Sequence, residues 1–378
     1  MVWPVFILLV TFLCAYANGA NDNFKGVATL FGSGTTDYKK AIAWATVSTL
    51  AGSLTACFWA GQLIKSFSGK GLVPDTFLTQ PAFLIAVVLG AGLTVLIAAL
   101  TGIPISTTHG LTGALVGAGI AAAGSQLGWS ALTNNFFTPL LVSPLFSMAL
   151  MALLYPLLRL GSRLAGLSKT TCVCVGERRI PVASLGLAPG ALISAAELSK
   201  FDILVDEKQA CDAKAIQVYE GRIFGIEAQK ILDFFHFLSA GAVSFARGLN
   251  DTPKIAAIAI AAGILGLKWN VLSVAFVMAV GGLVSARRIA ETMSHKITAM
   301  SHGQGFTANF ITALLVIFAS RAGLPVSTTH VSCGTLFGLG LVNGKAQWKM
   351  IGGIIVAWIL TLPVAAGVAA CSFLLIAR

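Results

Sequence analysis

Apolar runs near 3–20, 40–64, 82–101, 136–160, 231–247, 254–267, 269–286, 306–321 and 350–376 constrain this chain more than any other feature. A helix needs about 20 apolar residues to cross the hydrocarbon core of a bilayer, and most of these runs meet or approach that length. Between them charge is scarce: 10% of residues are charged and 56% are hydrophobic. A soluble domain carries about 25% charged residues, and a chain of 378 residues has no interior large enough to hide so much apolar surface. A soluble enzyme, a nucleic-acid-binding protein and a disordered chain are therefore excluded, and an integral membrane protein remains. The basic pI near 9.5 then reads as positive loops that set membrane orientation rather than as a nucleic-acid surface.

The charges that exist are concentrated. Residues 161–230 hold nine of the Lys and Arg and eight of the 14 acids. The chain thus reads as three parts: a transmembrane repeat over 1–160, a polar soluble insert over 161–230 and a second transmembrane repeat over 231–378. Short strand-like runs at Thr170–Val175, Ile203–Val205 and Ile216–Tyr219 make the insert a small, partly β module. Cys172, Cys174 and Cys211 fall within it, without the paired C-x2-C spacing of a zinc site, and no metal is assigned to them. Shorter Gly- and Ala-rich segments near 24–33, 110–127 and 330–343 are candidates for half-helices or re-entrant hairpins. Spans and half-spans together make about ten to twelve crossing or re-entrant segments. The first 20 residues lack a basic n-region, since Lys25 is the first Lys or Arg, and are read as a true first helix rather than a leader.

The two halves repeat each other. Gly19-Ala20-Asn21-Asp22-Asn23-Phe24-Lys25 recurs as Gly248-Leu249-Asn250-Asp251-Thr252-Pro253-Lys254, and Gly102-Ile103-Pro104-Ile105-Ser106-Thr107-Thr108-His109 as Gly323-Leu324-Pro325-Val326-Ser327-Thr328-Thr329-His330. Two motifs in one order at similar spacing mark an internal duplication. Polar residues at matching breaks of a duplicated membrane protein are how secondary transporters build a midplane site. Asp22 and Asp251 share one repeat position, and a carboxylate in a membrane needs a cation or a function; the competing reading is a pair of exposed helix caps. Lys25 and Lys254 stand three residues later, where each can pair with its aspartate on a helix or snorkel to the interface. Gly-x-Pro breaks a span, and Ser-Thr-Thr can cap the helix that follows, which leaves N–H groups for an anion. His109 and His330 come next, as structural histidines or as proton carriers.

At these motifs the sequence resembles the inorganic phosphate transporter family, which includes sodium- or proton-coupled phosphate symporters and some sulfate permeases. The stretch Gly282–Gly305 with Arg287-Arg288 and the run from Phe306 to Pro325 extend the resemblance over nearly all of the chain outside the insert. The resemblance implies an all-α, inverted-repeat secondary transporter. It implies that Asn21, Asp22, Asn250 and Asp251 line the site for substrate and coupling ion, and that Ser106, Thr107, Thr108, Ser327, Thr328 and Thr329 hold the anion. It implies a cytoplasmic insert, on the side to which Arg287, Arg288 and Lys296 also point. Two departures matter: the family's Asn-Asp-x-x-Asn ends here in Lys25 and in Lys254, and Arg247 stands where the second half often has His.

A charged lysine has no lone pair and cannot ligate Na⁺, but it can occupy a cation's place. Sodium at Asp22 and Asp251, protons, or no coupling ion are therefore all open. The expected substrate is phosphate, with sulfate as the alternative, and the expected surroundings are lipid; no cofactor and no nucleic acid are called for, and a homo-oligomer is compatible. An intramembrane enzyme built on Ser106 or Ser327 with a histidine fits poorly, because a nucleophile–base pair is needed once and not in two symmetric copies. A channel or receptor is the remaining alternative.

Overall fold

The computed structural model describes residues 2–59, 61–164, 171–179, 199–207 and 224–378, and it divides into two compact units, Met1–Pro156 with His236–Arg378 and Leu157–Phe235. The smaller unit contains three strands, β1 (Thr171–Arg179), β2 (Ser199–Glu207) and β3 (Phe224–Glu227). They form an antiparallel sheet in the order β2-β1-β3. The strand-like runs near 170–175 and 203–205 fall on β1 and β2, whereas Ile216–Tyr219, Cys211 and the side chains of Cys172 and Cys174 lie outside the described residues.

The larger unit is helical. Its first half runs α1 (Val2–Asp22), a 3-10 turn (Asn23–Gly26), α2 (Ala28–Gly32), α3 (Tyr38–Trp59), α4 (Gly61–Phe67), α5 (Pro81–Thr101), α6 (Thr107–Ala123), α7 (Trp129–Leu132) and α8 (Thr138–Leu164). Its second half runs α9 (Ala228–Ala261), α10 (Leu267–Ser285), α11 (Arg287–Glu291), α12 (His302–Arg321), α13 (Thr328–Asn343) and α14 (Trp348–Ile376). Among the described residues, seven segments are long and apolar enough to cross a membrane: Val2–Gly26, Tyr38–Trp59, Pro81–Thr101, Thr138–Gly161, Leu267–Ser285, His302–Arg321 and Trp348–Ile376. Their outer faces carry exposed Phe58, Ile97, Phe276, Phe318 and Ile359, the wrong surface for water and the right one for lipid.

One expectation is overturned. The runs at 231–247 and 254–267 read as separate spans, but α9 continues from Ala228 to Ala261 through Pro253. Proline removes one backbone donor and clashes with the preceding turn, and tertiary packing around Arg247 and Asp251 holds the helix together regardless. The matching segment of the first half does break, at Asp22, into the 3-10 turn. Gly26 closes that turn against α9, where a Cβ would stand 2.9 Å from the Ser244 backbone nitrogen.

The second motif folds alike in both halves. α5 ends at Gly102 with φ 76°, and α12 runs out into Gly323 with φ 70°, the left-handed region that glycine adopts without strain. Ile103 N donates to Ala98 O at 3.0 Å and Leu324 N to Ala319 O at 2.9 Å, closing the same C-terminal motif. The prolines then hold the chain extended, and α6 and α13 start afresh at Ser106 and Ser327. Each serine Oγ accepts the backbone N–H of the histidine three residues on, at 3.1 Å in both cases, as an N-cap does. α6 and α13 have 17 and 16 residues, about 25 Å of helix, too short to span alone. α6 packs against α5 and α14, and small residues permit the approach: a Cβ on Gly117 would lie 2.5 Å from Ala366 Cα.

Candidate functional site

Among the described residues, five charged Asp, Lys or Arg side chains are buried: Asp22, Lys25, Arg247, Asp251 and Lys254. All five converge where the two breaks meet. Lys25 Nζ donates to Asp22 Oδ1, to Asn21 Oδ1 at 2.7 Å, to Ile105 O at 2.8 Å and to Thr329 Oγ1 at 2.7 Å. Thr329 belongs to the opposite repeat. Lys254 does the reciprocal thing, donating to Val326 O at 2.7 Å in its own repeat and to Thr108 Oγ1 at 2.8 Å in the other. Asn21 Nδ2 donates to Ile103 O and Asn250 Nδ2 to Val326 O, both at 3.2 Å. The duplication visible in the sequence is therefore a two-fold exchange of contacts in space.

The aspartates anchor the half-helices. Thr107 Oγ1 donates to Asp22 Oδ2 at 2.9 Å and Thr328 Oγ1 approaches Asp251 Oδ2 at 3.5 Å. Thr108 and Thr329 also bond across the repeats, to Val326 O at 3.4 Å and Ile105 O at 2.9 Å. All twelve residues singled out in the sequence thus lie in one buried cluster, except that Ser106 and Ser327 act as helix caps at its edge. The threonine hydroxyls bond to carboxylates and carbonyls here. What α6 and α13 leave open is their first-turn N–H groups, those of Thr107, Thr108, Thr328 and Thr329, which have no acceptor within their own helices.

The symmetry is broken in two ways. Lys25 sits in hydrogen-bond contact with Asp22, whereas Lys254 Nζ is 3.9 Å from Asp251 Oδ1. Asp251 is held instead by Arg247, whose Nε lies 3.6 Å from Oδ2. Arg247 and Asn18 stand four residues before Asp251 and Asp22, and the two bond to each other, Arg247 Nη2 to Asn18 Oδ1 at 2.5 Å. Arg247 Nη1 reaches Asn23 Oδ1 at 3.0 Å, and Asn18 Nδ2 reaches Asp22 at 2.8 Å and Asp251 at 3.4 Å. Neither Asn18 nor the role of Arg247 emerged from the motifs. Their position one helical turn before each aspartate, on the same face, was the available signal. Counted in their ordinary ionised forms, the three cations and two carboxylates give the cluster a formal charge of +1.

His109 and His330 face each other with ring centroids 4.3 Å apart. His330 Nδ1 bonds to Leu140 O at 3.2 Å and its ring packs on Trp358. Both line a cavity of about 790 Å³ walled by Pro144, Phe337, Ile355 and Trp358. Its wall is mostly apolar and includes none of the five charges, although Thr133 and Thr138 line it beside the two histidines. Among the described residues no cluster of three or more His, Cys, Asp or Glu is placed to hold a metal.

The geometry agrees with the comparisons. Residues 18–369 match the model of the phosphate transporter family. A Thermococcus kodakarensis protein named "Putative phosphate permease" is 30% identical, over 98% of this chain and 97% of its own length. The chloroplastic inorganic phosphate transporter 2-1 of Arabidopsis thaliana is 29% identical, over 96% of this chain and 70% of its own. A solved structure titled "The sodium-dependent phosphate transporter" superposes with a TM-score of 0.76 over 100% of this chain and 99% of that one, at 20% identity, which gives the fold. An all-helical membrane core, a duplicated pair of broken segments and a match over most of the length leave one assignment: this multi-pass membrane chain belongs to the phosphate transporter family.

Proposed function

We propose that the protein moves inorganic phosphate across the membrane by alternating access of its two repeats, with the anion held between the N-termini of α6 and α13. The observation that carries this reading is the buried cluster of three basic and two acidic side chains, formally +1, at two half-helix starts whose first-turn N–H groups and positive dipole ends favour an anion. An uncompensated buried charge is costly, so the cluster is completed by a negatively charged guest. Sulfate has the same shape and is the second reading.

Lys25 and Lys254 take the place of coupling cations. Lys25 is surrounded by Asp22 Oδ1, Asn21 Oδ1, Ile105 O and Thr329 Oγ1, an all-oxygen cage of the kind a hard cation uses. An ammonium already fills it, so Na⁺ does not fit there beside the lysine. Asp22 then holds Lys25 as a tethered cation, Asp251 has Arg247 and Lys254 beside it, and uptake proceeds without Na⁺. Ser106 and Ser327 serve as caps, since each Oγ is committed to a backbone N–H; this fits a binding role better than a nucleophile's. By the same reading the polar insert lies in the cytoplasm.

The test is initial uptake of radiolabelled phosphate and sulfate into proteoliposomes, with and without Na⁺ and proton gradients. Saturable uptake of either anion, unchanged when choline replaces Na⁺, is expected. Failure to take up both would overturn the transport reading, and a steep Na⁺ dependence would overturn the tethered-cation part alone.

A further inference from the structure

The cavity of about 790 Å³ beside α8, α13 and α14 has no part in the transport reading. Leu141, Leu145, Ile355 and Ile359 line it and are exposed. They belong to α8 and α14, two segments long and apolar enough to cross a membrane. The cavity therefore opens sideways onto lipid hydrocarbon rather than onto water. Its volume falls within the range of small-molecule sites, about 300–1,000 Å³, and its walls of Leu, Ile, Phe and Trp suit an alkyl chain.

Two buried nitrogens in the wall require more than an alkyl chain. His330 and His109 are 2% and 8% exposed. Among the described residues, nothing bonds to His330 Nε2 or to His109 Nδ1. The reason His330 presents an acceptor lies in α8. Pro144 has no N–H, so Leu140 O, four residues earlier, loses its helical donor. His330 Nδ1 supplies one at 3.2 Å. A carbonyl only accepts, so Nδ1 carries the proton, and in the neutral ring Nε2 is left with a lone pair.

The protein's own donors around the cavity are committed elsewhere. Thr133 Oγ1 donates to Trp129 O at 2.9 Å, Thr138 Oγ1 to Thr133 O at 3.0 Å and Trp358 Nε1 to Pro104 O at 3.1 Å. His109 meets His330 edge to face, with ring centroids 4.3 Å apart. A buried polar atom without a partner costs about 1–3 kcal/mol, and an apolar cavity holds water poorly unless several polar groups converge on it.

We propose that this cavity is a binding site for a neutral, hydroxyl-bearing lipid that enters from the bilayer. Its chain lies against α8 and α14, and its O–H donates to His330 Nε2. A hydroxyl also accepts, so it suits His109 Nδ1 in either tautomer. A charged headgroup is unsuited, because none of the five buried charges lines the cavity. A plain hydrocarbon chain would fill the space and leave both nitrogens unpartnered. The site is separate from the charged cluster and does not depend on which anion the protein carries.

The experiment uses the intact protein in phosphatidylcholine nanodiscs and a dodecanol that carries a photoactivatable diazirine on its chain. Labelled peptides are mapped by mass spectrometry, with dodecanol, methyl dodecyl ether or dodecane added as competitor at equal mole fraction. Labelling is expected on α8 and α14 within residues 137–148 and 348–362. Dodecanol should compete about tenfold better than the ether, which accepts but cannot donate, or the alkane. Equal competition by all three overturns the proposal, since the cavity would then take any chain. Labelling absent from those helices, as when a second copy of the chain covers the face, overturns it too. Ile355→Trp narrows the cavity from its lipid-facing side and is expected to reduce the labelling. His330→Phe keeps a ring but removes the acceptor and should abolish the preference for the alcohol over the ether. The competition series on the unmodified protein decides the question even if either variant fails to fold.

Discussion

Replacing Lys25 by Asn tests the tethered cation where the structure is most specific. The ammonium reaches four oxygens, three of them within 2.8 Å, and the fourth is a carboxylate oxygen of Asp22. Lys25→Asn would leave Asp22 buried and unpaired by its cation, and breaking one side of a buried pair costs about 3–5 kcal/mol. The same substitution leaves the oxygen cage vacant, with a carboxylate, an amide oxygen, a carbonyl and a hydroxyl pointing into it. Sodium binding there would restore part of the loss: a ligand at a hundred times its Kd stabilises by about 2.7 kcal/mol. The variant is therefore expected to unfold at lower temperature than the unmodified protein in choline, and to recover markedly in Na⁺. The unmodified protein should be indifferent to the exchange. Thermal unfolding in detergent measures this without reference to transport, and uptake in the same two buffers should follow the same pattern. Equal stabilisation of both proteins by Na⁺ would mean that the ion binds elsewhere, and the reasoning about the cage would be wrong.

The two aspartates should prove unequal. Asp22→Asn loses the direct contact with Lys25, whereas Asp251→Asn leaves Arg247 bonded to Asn18 and Asn23; both should lower uptake, the first more severely, as initial rates at matched membrane expression would report. Thr107→Val removes the 2.9 Å hydrogen bond to Asp22, and losing a buried bond to a charged group costs about 1.5–3 kcal/mol, which should be read as a lower unfolding temperature; Thr328→Val, whose bond is longer at 3.5 Å, should lose less. Gly117→Val places branched carbons against the Ala366 backbone and should destabilise by about 1–3 kcal/mol through overpacking of α6 on α14, seen as a lower unfolding temperature with the anion's KM little changed.

Much of this was legible because it is local. Apolar length and the scarcity of charge require a membrane. Gly-x-Pro followed by Ser-Thr-Thr specifies a stop, an extended stretch and a capped restart, and those devices act over a few residues, so both copies fold alike at Gly102–His109 and Gly323–His330. The pairing of Lys25 with Asp22 is local too, three residues apart. Duplication then indicates which polar residues belong together without any coordinates. The Asn-Asp segments were less legible. One motif breaks its helix and the other runs on through Pro253, because the outcome depends on what packs beside it and not on propensity alone.

The sequence by itself determined a duplicated membrane protein with a carboxylate, a cation and a capped half-helix in each repeat, since periodicity, caps and repeats are properties of neighbouring residues. Only the tertiary structure decided how those parts are shared. Lys25 bonds to Thr329, 304 residues away, and Lys254 to Thr108, 146 residues away. Arg247 joins them through Asn18 and Asn23, 229 and 224 residues distant in the chain. The same motif types would be equally consistent with two separate ion-pair sites, one per repeat. Burial makes them one: in a low-dielectric interior each charge must find every available partner, and the partners that complete its shell lie in the opposite repeat.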